Sequence, residues 1–256
     1  TEGMNEPFAP VIDLALVGAV VFDTDGVVTD TARVHAAAWK HAFDTFLRGR
    51  SRPFDIRDDY LRHVDGRPRL DGVRTFLASR AISLPEGGPD DPPGAPTVHG
   101  LGTAKDLLFA EQVARYGVAA FPSTVALLHE LRRRGCRTAV VSASRNCRTM
   151  VTAAGLIQLF DTLVDGTDTD RLGLPGKPDP ALFLEAARRL DAAPDRTAIA
   201  EDALPGVEAG RRGGFGLVIG VDRTGRATEL RERGADVVVA DLSELTVIGR
   251  VPAAAP

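Results

Sequence analysis

Cysteine is scarce in this chain. Only Cys136 and Cys147 occur in 256 residues, which excludes a disulfide framework, and their spacing is no metal signature. Their simplest reading is a pair of core thiols in a reducing cytosol. No apolar run approaches the length needed to span a bilayer, and no internal block of lysine and arginine is long enough to mark a nucleic-acid surface. The basic cluster Arg132-Arg133-Arg134 closes an amphipathic helical pattern and reads as a solvated helix end. Residues 1–16 carry acids and no basic start, so a secretory leader is not expected. The composition is otherwise that of an ordinary globular protein, with 44% hydrophobic and 26% charged residues and a net charge of −4. The expectation is a cytoplasmic monomer with no nucleic-acid partner and no membrane association.

The length suits one large domain or a core with a smaller companion. Short, nearly continuous apolar runs recur at 17–22, 137–142, 162–165, 197–200, 216–220 and 236–239. Continuous rather than alternating runs are the mark of parallel strands buried on both faces. Helical patterns separate them at 123–134, 145–154, 178–190, 204–212 and 226–233. Alternating strand and helix predict an α/β fold, a doubly wound, Rossmann-like parallel sheet. Between about 33 and 115 the rhythm breaks. Helical patterns fill 31–48, 71–80 and 103–116, and the Pro-, Gly- and Asp-rich stretch 83–100 reads as an irregular surface excursion. The expected organisation is therefore a catalytic core of 1–32 and 116–256, with a mostly helical cap of 33–115 inserted after the first strand. Parallel sheets gather ligands at the carboxyl ends of their strands, so such an insertion is expected to roof a site.

Four pieces stand just after predicted strands: Asp23-Thr24-Asp25-Gly26, Ser142-Ala143-Ser144, Gly176-Lys177-Pro178 and Glu201-Asp202. Each alone has a bland reading. Paired acids make turns and caps, a serine sits in any loop, a lysine precedes a helix, and Glu-Asp caps one. Together, in this order and at strand ends, they point to phosphoryl transfer. A carboxylate can attack phosphorus and form an acyl phosphate. Clustered acids call for a hard cation such as Mg²⁺. A hydroxyl, a backbone N–H and a lysine can hold charge on the transferring oxygens. A second acid can protonate the leaving oxygen.

These four pieces resemble the four motifs of the haloacid dehalogenase superfamily. The stretches "FDTDGVVTDTARVHAAAWK" (22–40), "DGRPRLDGVRTFLASR" (65–80), "GTAKDLL" (102–108), "VSASRN" (141–146), "GKPDPALF" (176–183) and "EDALPGVEAG" (201–210) narrow the likeness to its β-phosphoglucomutase-like subfamily. The resemblance implies that Asp23 is the nucleophile and Asp25 the general acid/base, whose backbone carbonyl also binds metal. It implies that Asp23, Asp25, Glu201 and Asp202 form the Mg²⁺ site. Ser142, Ala143 through its N–H, and Lys177 would cradle the transferring phosphoryl group. Arg69 would grip the other phosphate, with Ser144, Arg145 and Asn146 as its core-side partners. Thr31, His35, Trp39, Gly66 and Lys105 complete the implied substrate contacts. Thr31, His35 and Trp39 share one helix face by their spacing, and Trp39 reads equally well as a packed cap residue.

Departures from the subfamily pattern include Thr24 in place of a larger apolar residue, expected to affect packing only. Arg145 stands for lysine, Ala203 for serine, and Arg67-Pro68 and the 83–100 stretch are unlike compact members. The implied activity is Mg²⁺-dependent interconversion of β-D-glucose 1-phosphate and glucose 6-phosphate. Glucose 1,6-bisphosphate would serve as activating intermediate, and the partner would be a small sugar phosphate. The rival is a sugar-phosphate phosphatase, in which water attacks the aspartyl-phosphate. A non-catalytic binding protein would have lost the nucleophile or a metal acid, and all are present.

Overall fold

The computed structural model describes residues 10–253. The reading of residues 1–16 as lacking a leader falls largely on residues 1–9, outside the described residues. The chain divides into two compact units, residues 1–29 with 120–256 and residues 30–119.

The first unit is built on parallel strands. They are β1 (Val11–Asp13), β2 (Ala19–Asp23), β3 (Arg137–Val141), β4 (Thr162–Val164), β5 (Thr197–Glu201), β6 (Leu217–Val221), β7 (Val237–Val239) and β8 (Thr246–Ile248). Six of them form a sheet in the order β4-β3-β2-β5-β6-β7, every pairing parallel. Successive side chains point to opposite faces. Val20, Phe22, Val140, Ala198 and Ile219 enter one apolar layer, and Ala19, Val21, Ala139, Ile199 and Val218 enter the other. That double burial is why the strand sequences do not alternate. The chain builds outward from β2 to β3 and β4, then returns to the other side of β2 with β5. The reversal makes the carboxyl ends of β2 and β5 a topological switch point, where such sheets bind ligands.

The second unit contains the helices α1 (Ala32–Leu47), α2 (Arg69–Ser79) and α3 (Val98–Tyr116), with a single π-helical turn at Tyr60–Val64. Its core is aromatic: Trp39, Phe43, Phe54 and Phe76 are buried, and Phe43 packs on all three of the others. Helices α4 (Pro122–Arg133), α5 (Cys147–Ala153), α6 (Gly166–Leu172), α7 (Ala181–Arg189), α8 (Leu204–Arg212) and α9 (Ala227–Glu232) belong to the first unit.

Several expectations need correction. The irregular stretch ends at residue 97, not 100, because Thr97 caps α3 by accepting from the Gly100 N–H at 2.9 Å. That helix therefore begins at Val98 rather than 103. The stretch before it is tied down: Glu86 pairs with Arg74, and Asp91 accepts from Thr97 Oγ1 at 2.6 Å. α7 starts at Ala181, not 178, where Asp179 accepts from the Ala181 N–H; the Lys177–Pro178 peptide is cis. α6 was not expected: its sequence GTDTDRL has no apolar stripe, and a capping box between Asp165 and Asp168 starts it. The two-stranded pairing of β1 with β8 was also not expected. Among the described residues, no helix is long and apolar enough to cross a membrane.

Candidate active site

Asp23 is the last residue of β2 and is buried. The chain then turns tightly: the Thr24 carbonyl accepts from the N–H groups of Val28 and Thr29, both at 2.9 Å, and Gly26 N–H donates to Thr29 O at 2.8 Å. Thr24 does more than pack. Its hydroxyl donates to the Val141 carbonyl at 2.8 Å and lies 3.1 Å from Cys147 Sγ, tying the turn to β3 and α5. Gly26 is demanded twice. Its φ of +81° lies in the left-handed region, and a Cβ there would stand 1.9 Å from Asp202 Oδ2. Asp25, one residue before it, is half-buried on the same turn.

Lys177 brings the ends of two strands together. Its Nζ donates to Asp23 Oδ1 at 2.8 Å and to Glu201 Oε2 at 2.7 Å. The Glu201 side chain is fully buried, and its other oxygen accepts from the N–H groups of Asp202 and Ala203, each at 3.1 Å. Burial, then the charge of Glu201, pushes the Asp23 carboxyl well above the ordinary carboxylate value, against the pull of Lys177. For Lys177, burial opposes the charge, but Asp23 and Glu201 outweigh it and hold the ammonium above the usual lysine value.

Carboxylate oxygens of Asp23, Glu201 and Asp202 lie within 4.8 Å of one another. This donor set is all hard oxygen, with no histidine or thiolate, and the Lys177 ammonium pairs with two of the three acids, Asp23 and Glu201. It fits a hard divalent cation such as Mg²⁺. The Asp25 carboxylate is not part of this set, which leaves its backbone carbonyl as the group the resemblance assigns to the metal.

The loop after β3 supplies further polar groups. Ser142 Oγ accepts from the Ser144 N–H at 3.0 Å, and Ser144 Oγ accepts from the Asn146 N–H at 3.1 Å. The start of α6 braces this loop, since Gly166 N–H donates to Ser144 O, and a Cβ at Gly166 would meet the Ala143 carbonyl at 2.7 Å. Arg145 is exposed and pairs with Asp170 on α6. Asn146 stands at the N-cap of α5 without a side-chain cap bond.

The second unit carries its own polar cluster. Lys105 Nζ lies 2.9 Å from His35 Nδ1. A lysine ammonium only donates, so Nδ1 is the acceptor in this contact. Lys105 also lies over the rings of Trp39 and Phe109, at 5.2 and 5.1 Å, and His35 stacks on Phe109 at 4.0 Å. Arg69 pairs with Asp106, whose carboxylate also lies 3.7 Å from Lys105. Trp39 is 4% exposed and stacks on Phe43, so it is a core residue of this unit as well as a wall for Lys105. Thr31 is buried at the start of α1, and Gly66, with φ +69°, turns the chain between the π-helical turn and α2.

Sequence reasoning missed Asp106, Phe109 and Gly206. Asp106 follows Lys105 directly, and that pairing of unlike charges was the available signal. Phe109, one turn after Lys105, was readable by its spacing. Gly206 lies within α8, where a Cβ would stand 1.9 Å from Glu201 Oε2. A glycine inside a predicted helix is the signal for such a close approach.

Comparisons with known proteins place the chain in a family. The family model for haloacid dehalogenase-like hydrolases matches residues 17–214. A β-phosphoglucomutase of Mycobacterium bovis is 46% identical over 239 residues, covering 90% of this chain and 91% of its own. A validoxylamine A 7′-phosphate phosphatase of Streptomyces hygroscopicus is 29% identical, covering 88% and 94%. The crystal structure of a β-phosphoglucomutase from Clostridium difficile superposes with a TM-score of 0.71 at 21% identity, covering 90% and 94%. That last likeness speaks for the fold alone. The chain belongs to the haloacid dehalogenase-like hydrolase family, in its β-phosphoglucomutase-like subfamily.

Proposed function

We propose that this enzyme is a phosphomutase that interconverts β-D-glucose 1-phosphate and glucose 6-phosphate. The observation that carries the reading is the presence of two separate sets of cationic groups. Lys177 stands beside Asp23, and Arg69 with Lys105 stands on the other unit. A phosphatase needs one phosphate site. A mutase working through a sugar bisphosphate needs two.

In the proposed reaction the Asp23 carboxylate attacks phosphorus of the sugar bisphosphate. The P–O bond to the sugar breaks, and the leaving oxygen takes a proton from the Asp25 carboxyl group. The sugar monophosphate leaves. In the other half-reaction Asp25 takes a proton from the incoming sugar hydroxyl, whose oxygen attacks the aspartyl-phosphate and frees Asp23. The product of that second step is glucose 1,6-bisphosphate, which turns around between the halves. Lys177, the Ser142 hydroxyl and the Ala143 N–H hold charge on the transferring oxygens. Asp23, Glu201 and Asp202, with the Asp25 carbonyl, would hold Mg²⁺, which when bound neutralises charge between the acids and the phosphoryl group. The resemblance assigns the non-transferring phosphate to Arg69 on the second unit and to Ser144, Arg145 and Asn146 on the first. His35, Trp39, Thr31, Gly66 and Lys105 read the sugar.

The test is phosphorus NMR of β-glucose 1-phosphate with enzyme, Mg²⁺ and a trace of glucose 1,6-bisphosphate. Glucose 6-phosphate is the expected product. Inorganic phosphate in its place would make the enzyme a phosphatase.

A further inference from the structure

Arg223 stands just past the carboxyl end of β6, at the edge of the sheet where the acids gather. Its Nε donates to the Gly26 carbonyl at 2.9 Å. Its Nη1 donates to Asp241 Oδ2 at 3.2 Å and to the Ala240 carbonyl at 3.4 Å. The guanidinium carbon lies over the Phe121 ring, 3.8 Å from the centroid. Each partner is itself fixed. Asp241 also accepts from Ser123 Oγ at 3.0 Å and from the Ser243 N–H at 2.9 Å, and Phe121 N–H donates to Val28 O at 3.0 Å. Three segments far apart in sequence thus converge on one side chain, and one of them is the turn that carries Asp25.

That turn is held at several points, and Phe121 N–H donates to its Val28 carbonyl. Thr24 O receives N–H groups from inside the turn, and Val27 O receives the Thr124 hydroxyl at 2.6 Å. The Gly26 carbonyl receives a charged donor, and charged hydrogen bonds hold geometry more firmly than neutral ones. Gly26 has no side chain to resist rotation, and its left-handed φ is the point at which the turn would relax. Relaxation there would move Asp25, the adjacent residue, before it moved Asp23, which is locked into β2 and bonded to Lys177.

We propose that Arg223 is a positioning residue for Asp25: it clamps the Gly26 peptide and so aims the general acid/base. The proposal rests on the reading of Asp25 given above, and it separates two kinds of phosphoryl donor. With glucose 1,6-bisphosphate, the Asp23 oxygen bonds to phosphorus, the P–O bond to the sugar breaks, and the departing oxygen needs a proton from Asp25. With acetyl phosphate, the same bond to Asp23 forms and acetate departs as the anion, needing no proton. A clamp on the acid matters to the first donor and hardly to the second.

The experiment is rapid-quench measurement of aspartyl-phosphate formation from each donor in Arg223→Ala, Arg223→Gln and Arg223→Lys. In Arg223→Ala the sugar bisphosphate reaction should slow roughly 10- to 100-fold, within what a positioned general acid contributes, and the acetyl phosphate reaction less than about 3-fold. Arg223→Lys, which keeps a charged donor, should return the sugar reaction to within about 5-fold of wild type. Equal slowing with both donors would make Arg223 a structural tie, and unchanged rates with both would remove it from the reaction; either overturns the proposal. If Arg223→Ala does not fold, the same split is read between Arg223→Gln and Arg223→Lys. Release of inorganic phosphate in place of isomerisation by the wild-type enzyme would sink the mutase reading, and the donor split would still decide Arg223.

Discussion

Gly206 and Glu201 are packed so closely that a β-carbon on the one would lie 1.9 Å from a carboxylate oxygen of the other. Gly206 is in the first turns of α8, and Glu201 ends β5. Helix propensity alone favours alanine over glycine by about 1 kcal/mol. The clash predicts the opposite for function. Glu201 would have to swing away from Lys177 and from Asp23, leaving buried charges poorly paired. Gly206→Ala should therefore lower turnover by at least about tenfold, equivalent to one charged contact. Wild-type turnover in Gly206→Ala, with a raised urea midpoint, would show that Glu201 has slack and is not held by this contact.

Asp23→Asn should abolish turnover in both directions. An amide is a poor nucleophile, and losses of several orders of magnitude are typical when one member of a covalent site is removed. The measurement is isomerisation by protein purified free of wild-type enzyme. Substantial residual activity would move the nucleophile elsewhere.

Turnover should require a divalent cation, with Mg²⁺ sufficient, because Asp23, Glu201 and Asp202 offer only hard oxygens. Excess chelator should stop the reaction, and added Mg²⁺ should restore it. Full activity in chelator would mean that the three acids serve Lys177 and the backbone alone.

The second unit holds a buried ion pair that predicts a pH dependence of stability. Arg80 donates to Asp59 through Nη1 and Nη2, at 3.2 and 2.6 Å, and the two side chains are only 5% and 6% exposed. Burial alone would raise the Asp59 carboxyl, but the bonds from Arg80 and from the Asp55 N–H outweigh it and hold it below its ordinary 3.8. A carboxyl lowered in the folded state stabilises the protein above its unfolded value and loses that contribution as pH falls through the folded value. Asp59→Ala should cost about 3 kcal/mol at pH 7, since breaking a buried pair strands the partner's charge. In urea unfolding, the gap between wild type and variant should narrow as pH drops below 3.8. A gap that stays constant to pH 2 would show that the pair adds nothing as a charge interaction.

Much of the first unit was legible because its strands are buried on both faces. Runs such as Val20-Val21-Phe22 and Ala139-Val140-Val141 have no other economical reading. Asp23 and Glu201 were legible by position, at the ends of β2 and β5; Lys177 does not directly follow a strand as expected, because α6 stands between β4 and it. What stayed hidden lacked a local pattern. β1 and β8 are three residues each and pair across most of the chain, so neither has a period to read. α6 is polar and is held by its cap. Arg223 acts through contacts to Gly26, Phe121 and Ala240-Asp241, and Asp106 meets Arg69; the Gly26, Phe121 and Arg69 partners lie far off in sequence, where no spacing rule reaches. Thr24 was read by size, whereas its hydroxyl proved to be the useful part.

Arg69 should separate mutase from phosphatase behaviour. Its guanidinium pairs with Asp106, beside Lys105 and His35, so it is held in place without being neutralised by a fully buried partner: Arg69 and Asp106 are 25% and 27% exposed. A guanidinium grips phosphate through two parallel hydrogen bonds and treats either end of a sugar bisphosphate alike. That suits the phosphate that is not reacting, whichever it is. Arg69→Ala should therefore weaken binding of both sugar monophosphates and cut isomerisation. The loss of a bidentate charged contact should lower kcat/KM roughly 30- to 1000-fold. Hydrolysis of acetyl phosphate, which has no second phosphate, should change much less. The two activities must be compared in the same preparation. An equal fall in both would mean that Arg69 supports the fold, through Asp106 and the start of α2. No fall in either would mean that this cluster reads no phosphate, and the phosphatase reading would then account better for the core site alone.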